Sequence, residues 1–243
     1  MNQTIKELIE RKSIRVFTNK QISKKAKQEI LLASVNAPSP GNQQMYSIID
    51  VTDQKIKDEL AILCDNQPFI AKGKMLLVYC ADFRKWYDAF KVADCKPRKV
   101  KVGDFILAVE DSMIAAQNAV TAAESLGIGS CYIGDVLENK EKIKELLQLP
   151  DYVFPSTILV FGYPTTQQQL RKKPKREALK YLVSTNTYHL RSENDLKEMF
   201  KEKQELDDEQ VLSWLKAFYK RKYNSDFSKE MTRSVKEYLK EYI

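Results

Sequence analysis

Arg11, Lys12, Ser13 and Arg15 place three cations and a hydroxyl within five residues, a density that suits a bound anion. Read as the end of an amphipathic helix, the stretch sets Arg11 and Arg15 one turn apart on one face. The plain alternative is a basic helix terminus whose side chains complement the helix dipole. Two further pieces fit the same ligand. Residues 37–44, Ala-Pro-Ser-Pro-Gly-Asn-Gln-Gln, make a tight polar loop, and Lys173-Pro174-Lys175 adds two ammonium groups. Any phosphate would have to be held by side chains. The chain has only seven glycines, Gly127-x-Gly129 is followed by Tyr132 where a dinucleotide fingerprint needs glycine, and no Gly-Lys-Ser/Thr occurs.

These residues need elements to position them. Residues 3–12 read as an amphipathic helix with Ile5, Leu8 and Ile9 on one face. Ser23 is a natural N-cap for a second helix running to about residue 36, and Ala37-Pro38 ends it. Residues 46–51, 74–80, 130–133 and 156–161 read as strands, and 54–64 and 139–147 as helices. Residues 104–126 are apolar nearly all round, which predicts a helix buried on every side. Its alanines suit close packing against another helix, including its own copy in a dimer. Residues 81–101 read as an irregular excursion and 165–190 as a long basic loop. Three charged helical patterns follow, 193–203, 208–222 and 228–242, too poor in apolar residues to form a core unaided. Strands alternating with helices give an α+β or α/β domain of about four strands.

Composition narrows the function classes. A chain of 243 residues, 43% hydrophobic and 30% charged, is expected to fold around a substantial core. Its longest apolar run, residues 75–81, is too short to cross a bilayer, and its first residues show no signal-like core, so a cytoplasmic location is expected. Cys64, Cys80, Cys95 and Cys131 are widely spaced, and the single histidine, His189, argues against a histidine-rich metal site. The net charge of +7 raises a nucleic-acid reading. The charge is concentrated, however, in residues 91–101 (net +4) and 165–180 (net +5), while residues 191–243 carry twelve basic and twelve acidic groups. That distribution favours a few particular anions over a general basic surface.

Taken in order, Arg11-x-Ser13-x-Arg15, Ala37-Pro38-Ser39-x-Gly41-Asn42-x-Gln44, Leu126-Gly-Ile-Gly-Ser-Cys-Tyr-Ile-Gly134 and the late Lys173-Pro174-Lys175 resemble the FMN-dependent nitroreductase and NADPH-flavin oxidoreductase family, in particular its major oxygen-insensitive nitroreductase branch. The match covers about residues 3–180. The resemblance implies an α+β, three-layer sandwich with a central, mostly antiparallel sheet, a helical C-terminal arm and an intertwined homodimer. It implies an FMN-binding core at 1–164 and, at 165–243, a basic loop and helical extension that packs on core and partner.

The resemblance also implies roles. Arg11, Ser13, Lys173 and Lys175 would hold the FMN phosphate, Lys12 would belong to the same cofactor-binding run, and Arg15 would lie at the N1/C2=O edge of the ring, where a cation favours the reduced state. Ser39, Asn42 and Gln67 would meet the ribityl chain or the pyrimidine edge. Tyr132, Ile133 and Gly134 would lie along the ring, with a backbone N–H near N5. No side chain is expected to be catalytic, because the hydride moves at N5 while Arg15 and Gly134 tune it. Arg221 and Lys222 would meet the NADPH 2′-phosphate if they are more than helix-surface charges. Lys175 in place of an arginine and Asp135 after Gly134 depart from the branch pattern. The expected reaction is ping-pong electron transfer from NADPH or NADH to nitroaromatics, quinones or free flavin, with no nucleic-acid or membrane partner. The alternative is an FMN-binding redox-responsive or storage protein with little turnover.

Overall fold

The computed structural model describes all 243 residues. Its centre is a four-stranded sheet of β1 (Tyr46–Asp50), β2 (Met75–Asp82), β3 (Gly129–Ile133) and β4 (Val153–Gly162) in the order β1-β2-β4-β3, antiparallel throughout. The central strands β2 and β4 are buried along their whole length, which explains their unbroken apolar runs. The twelve α-helices are α1 (Gln3–Glu10), α2 (Lys24–Val35), α3 (Gln54–Leu63), α4 (Phe69–Lys72), α5 (Arg84–Val92), α6 (Val102–Ser125), α7 (Lys140–Leu146), α8 (Thr166–Leu170), α9 (Leu179–Leu182), α10 (Glu193–Gln204), α11 (Asp208–Phe218) and α12 (Asp226–Leu239).

Local chemistry starts several of them. Ser23 Oγ accepts from Ala26 N–H at 3.1 Å to cap α2, and Asp53 caps α3 through Lys55 and Ile56 N–H. One sheet face then packs on α2 and α6 through Ile30, Leu77, Tyr79, Ala115, Ala119 and Leu159. The other face packs on α3, α4 and α7 through Leu60, Ile70, Val78, Ile143 and Val160. Helix, sheet and helix form three layers.

The chain falls into two compact units, Met1–Arg171 with Glu230–Ile243, and Lys172–Lys229. The sequence puts the division at 164/165; the units differ from it at both ends for packing reasons. In the first unit α8 is tied down by Lys12, and Tyr238 and Tyr242 are buried, Tyr238 beside Met45, Ala108 and Phe154. In the second, α10 and α11 join through Phe200, Trp214 and Phe218, with ring centroids 5.6 and 5.0 Å apart, and both start with capping boxes.

The segment 165–190, expected as a loop, contains the short helices α8 and α9, and three further sequence expectations change. The excursion at 81–101 contains a regular helix, α5, whose Trp86 and Phe90 rings meet one turn apart at 5.7 Å. Residues 11–15 are not helical: α1 stops at Glu10, and the chain runs on extended beside β3, with Ser13 bridging Ser130 in parallel and Ile14 N–H donating to Ser130 C=O at 2.9 Å. Helix α6 is not buried all round within the chain. Its alanine face, Ala108, Ala115, Ala119 and Ala123, is buried, whereas Ile106, Leu107, Met113 and Ile114 are exposed.

Candidate functional site

The extended run of residues 11–15 decides which side chains cooperate. Side chains alternate across an extended chain, so Arg11, Ser13 and Arg15 share one side and Lys12 and Ile14 the other. Ile14 is 4% exposed and lies against Gly129, where a Cβ would come within 2.5 Å of Ile14 Cγ1. That close approach holds the run against β3. Lys12 is spent elsewhere, its Nζ donating to Gln169 C=O at 2.6 Å and to Arg171 C=O, the open carbonyls at the end of α8.

Arg11 carries two buried donors, Nε and Nη2, with no partner. A guanidinium desolvated in this way is costly unless an anion answers it, so the position fits a phosphate. Arg171, which the sequence reading left out of the site, donates from Nη2 to Ser13 C=O and sets a further cation at the same run. Nothing local singles it out from its basic neighbours; only the fold does. Arg15 is exposed, its Cζ 6.0 Å from the Phe69 ring centroid, and its backbone N–H donates to the buried Gln168 Oε1 at 3.3 Å.

The neighbouring strand responds to these cations. Burial raises the Cys131 thiol pKa, while Arg15, Ser13 and Arg11 pull it down. Burial pushes the Tyr132 phenol up to about 12, with Arg11 opposing, and its hydroxyl donates to Gln117 Oε1 at 3.2 Å. Ile133 is buried in the sheet core. Gly134 is exposed, has φ −80°, and a Cβ there would meet nothing within 4 Å. Neither backbone strain nor packing within the chain calls for glycine, which leaves open space for the close approach of a bound molecule.

Gln67, in the turn before α4, joins this group. Its Nε2 donates to Asp135 Oδ2 at 2.8 Å and to Cys64 C=O at 2.9 Å. Behind Asp135 lies Glu138, 5% exposed, with Oε1 unpartnered and its pKa pushed up to about 7, chiefly by burial and then by Asp135, Asp65 and Glu230. Arg11, Ser13, Arg15, Gln67, Tyr132 and Gly134 therefore gather at one edge of the first unit, with the Ile133 side chain turned into the core.

The Pro-Gly loop does not join them. Ser39 Oγ donates to Asp111 Oδ2 at 2.8 Å and accepts from Gln44 N–H at 2.6 Å, so its single proton is spent inside the loop. Asn42, φ 55°, is exposed. The loop leads into Tyr46, opposite Ala81 on β2, whereas Ser130 stands opposite Phe161 on β4. Since Ala81 aligns with Phe154, the two sites occupy diagonally opposite corners of the sheet, about 25 Å apart by strand spacing and rise.

Lys173, Lys175, Arg221 and Lys222 belong to the second unit. Lys175 Nζ lies 3.4 Å from Glu205 Oε1 on an exposed surface. Arg221 and Lys222 sit in a π-helical turn, Tyr219–Tyr223, over the rings of Phe218 and Phe227 at 5.6 and 5.0 Å.

An antiparallel sheet between helical layers, with a cationic run beside its edge strand, defines an α+β protein whose candidate site is built from side chains. The model of the nitroreductase family matches residues 8–163, and the chain belongs to that family. It is 32% identical over 199 residues to a Bacillus subtilis (strain 168) FMN reductase (NADPH), covering 80% of this chain and 78% of the relative. It is 34% identical to the oxygen-insensitive NADPH nitroreductase of Salmonella typhimurium, covering 77% and 75%. Among solved structures, the NADPH:FMN oxidoreductase from Vibrio harveyi complexed with NAD+ superposes with a TM-score of 0.82 at 26% identity, covering 98% of both chains.

Proposed function

We propose that this chain is an FMN-dependent oxidoreductase that passes electrons from NADPH or NADH to nitroaromatics, quinones or free flavin, with donor and acceptor taking turns at one site. The relatives named above support the reaction class, and the buried, unpartnered Nε and Nη2 of Arg11 carry the cofactor assignment. Bound FMN supplies a hydride acceptor at N5.

The chain's own residues supply the rest. Arg11 and Ser13 hold the phosphate, with Lys173 and Lys175 adding charge as the resemblance suggests. Arg15 offers a cation to the ring edge that gains negative charge on reduction. The open space at Gly134 lets the ring lie close to the end of β3. Arg221 and Lys222 are the proposed contacts for a nucleotide phosphate.

Ser39 and Asn42, a sheet-diagonal away, are assigned to the site of a second copy, making the protein a homodimer. The exposed Ile106, Leu107, Met113 and Ile114 on α6 supply an apolar face for that contact. No helix is long and apolar enough to cross a membrane, and a cytoplasmic location is proposed with it.

The test is a visible absorption spectrum of the protein supplied with FMN, repeated after anaerobic NADPH and, separately, NADH. A bound-flavin spectrum that bleaches within the mixing time supports the reading. Bound flavin that stays oxidised points to a binding protein, and the absence of bound flavin overturns the assignment of Arg11.

A further inference from the structure

The orientation of the Gln67 side chain is fixed by what surrounds it. Its backbone is held in the turn by Gln67 N–H to Ala61 C=O at 2.8 Å and by Ile70 N–H to Gln67 C=O at 3.1 Å. The two groups facing its amide are a backbone carbonyl, Cys64 O, and a carboxylate, Asp135 Oδ2, at 2.9 and 2.8 Å. Neither can donate, so the atom between them must be nitrogen, and both amide protons are spent. What remains of Gln67 is Oε1, an acceptor only.

We propose that Asp135 is a positioning residue that locks the Gln67 amide with its oxygen outward, so that the site recognises an N–H donor on the bound ring, the imide N3–H of a flavin. The inference rests on the FMN reading above. Its geometric support is the neighbourhood of Gln67: the ring centroid of Phe69, two residues on, lies 6.0 Å from Arg15 Cζ, which ties the turn that carries Gln67 to the run that carries Arg15. The pyrimidine edge of isoalloxazine presents the complement, an acceptor carbonyl at C2 beside a donor at N3. Asp135 thereby has a function that its charge alone would not suggest. Without it, one hydrogen bond to Cys64 C=O would remain to orient the amide, and rotation would offer a donor where the ring needs an acceptor.

The test is equilibrium binding of FMN and of its N3-methyl analogue to the apo-protein, followed by quenching of flavin fluorescence. The analogue keeps the phosphate and the ring but replaces the N3 proton with a methyl group. Wild type is expected to bind FMN at least about tenfold more tightly than the analogue, the cost of leaving an oriented acceptor unpaired. Asp135→Ala is expected to lose most of that preference. Asp135→Asn, whose Oδ1 still accepts from Nε2 while the charge is gone, is expected to keep it. Equal affinity of wild type for both flavins, or a preference that survives Asp135→Ala, overturns the positioning role. Loss of the preference in Asp135→Asn as well as in Asp135→Ala overturns it in favour of a charge effect. Failure of wild type to bind FMN at all overturns the site assignment itself, an outcome distinct from the other three.

Discussion

Ser39 Oγ donates to the carboxylate of Asp111 at 2.8 Å, although 72 residues separate them. Asp111 is fully buried on α6, and the same Oδ2 accepts from Met45 N–H at 2.6 Å. The Pro-Gly loop is thus pinned from the core side by one carboxylate. Gly41 and Asn42, both at positive φ, are held at its tip.

Removing that carboxylate should release the loop. Asp111→Ala leaves the Ser39 hydroxyl and the Met45 amide without an acceptor, a loss of about 2–3 kcal/mol. Urea denaturation at neutral pH measures it, and limited proteolysis should cut within 38–45 sooner than in wild type. An unchanged midpoint would show that the loop is ordered by other contacts.

Glu138 sets a pH dependence of stability. Its carboxyl pKa rises to about 7, from burial first and then from Asp135, Asp65 and Glu230, against an ordinary value of 4.5. The folded state therefore holds more protons than the unfolded state between pH 4.5 and 7. Stability falls as pH rises through that window and this contribution is flat above it. Glu138→Gln removes the ionisation. It should exceed wild type by about 2–3 kcal/mol at pH 8 and match it near pH 4.5, as read from urea midpoints at the two pH values. A gain that is the same at both would point to packing rather than ionisation.

Much of the fold is legible locally because helices and strands impose short periods. The Ser23 cap, the runs of β2 and β4 and the Pro stop at residue 38 all follow from neighbours. The run at 11–15 misleads because Arg-x-Ser-x-Arg suits a helical turn and an extended chain equally, and only Ile14 against Gly129, over a hundred residues away, decides. Helix α5 is obscured by a sequence rich in aromatic and basic residues, and α6 by apolar residues that the fold leaves exposed. The pairings Ser39–Asp111 and Gln67–Asp135 lie beyond any local pattern, since they join residues 72 and 68 apart.

Gly129 is a packing requirement. A methyl group there would stand 2.5 Å from Ile14 Cγ1 and 2.9 Å from its Cβ. Gly129→Ala should cost about 1–3 kcal/mol and weaken FMN binding by shifting Arg11 and Ser13 off the strand edge. Adding Ile14→Ala should recover binding in the double variant more than stability, since it also deletes core. Thermal melts and FMN titration of both variants separate the two effects.

The exposed face of α6 predicts an association state. Ile114 is 40% exposed beside Met113, with Ile106 and Leu107 two turns earlier. If a second copy covers this face, Ile114→Arg should shift the protein from dimer to monomer in sedimentation velocity. FMN affinity should fall with it, because Ser39 and Asn42 would no longer reach the site. A variant that remains dimeric would move the interface elsewhere.

Arg11 should show opposite effects on stability and binding. Its Nε and Nη2 are buried without partners, so the apo-protein bears a desolvation cost that a phosphate would offset. Arg11→Met keeps most of the apolar stem and removes the charge. The apo-protein should then be as stable as wild type or more so, by up to about 1 kcal/mol, while FMN affinity falls about 10–100-fold. Riboflavin, the same ring without phosphate, should bind both proteins alike. That comparison separates the phosphate contact from any general disturbance of the ring site: a loss of riboflavin binding equal to the loss of FMN binding would place Arg11 in the architecture of the edge rather than against the anion.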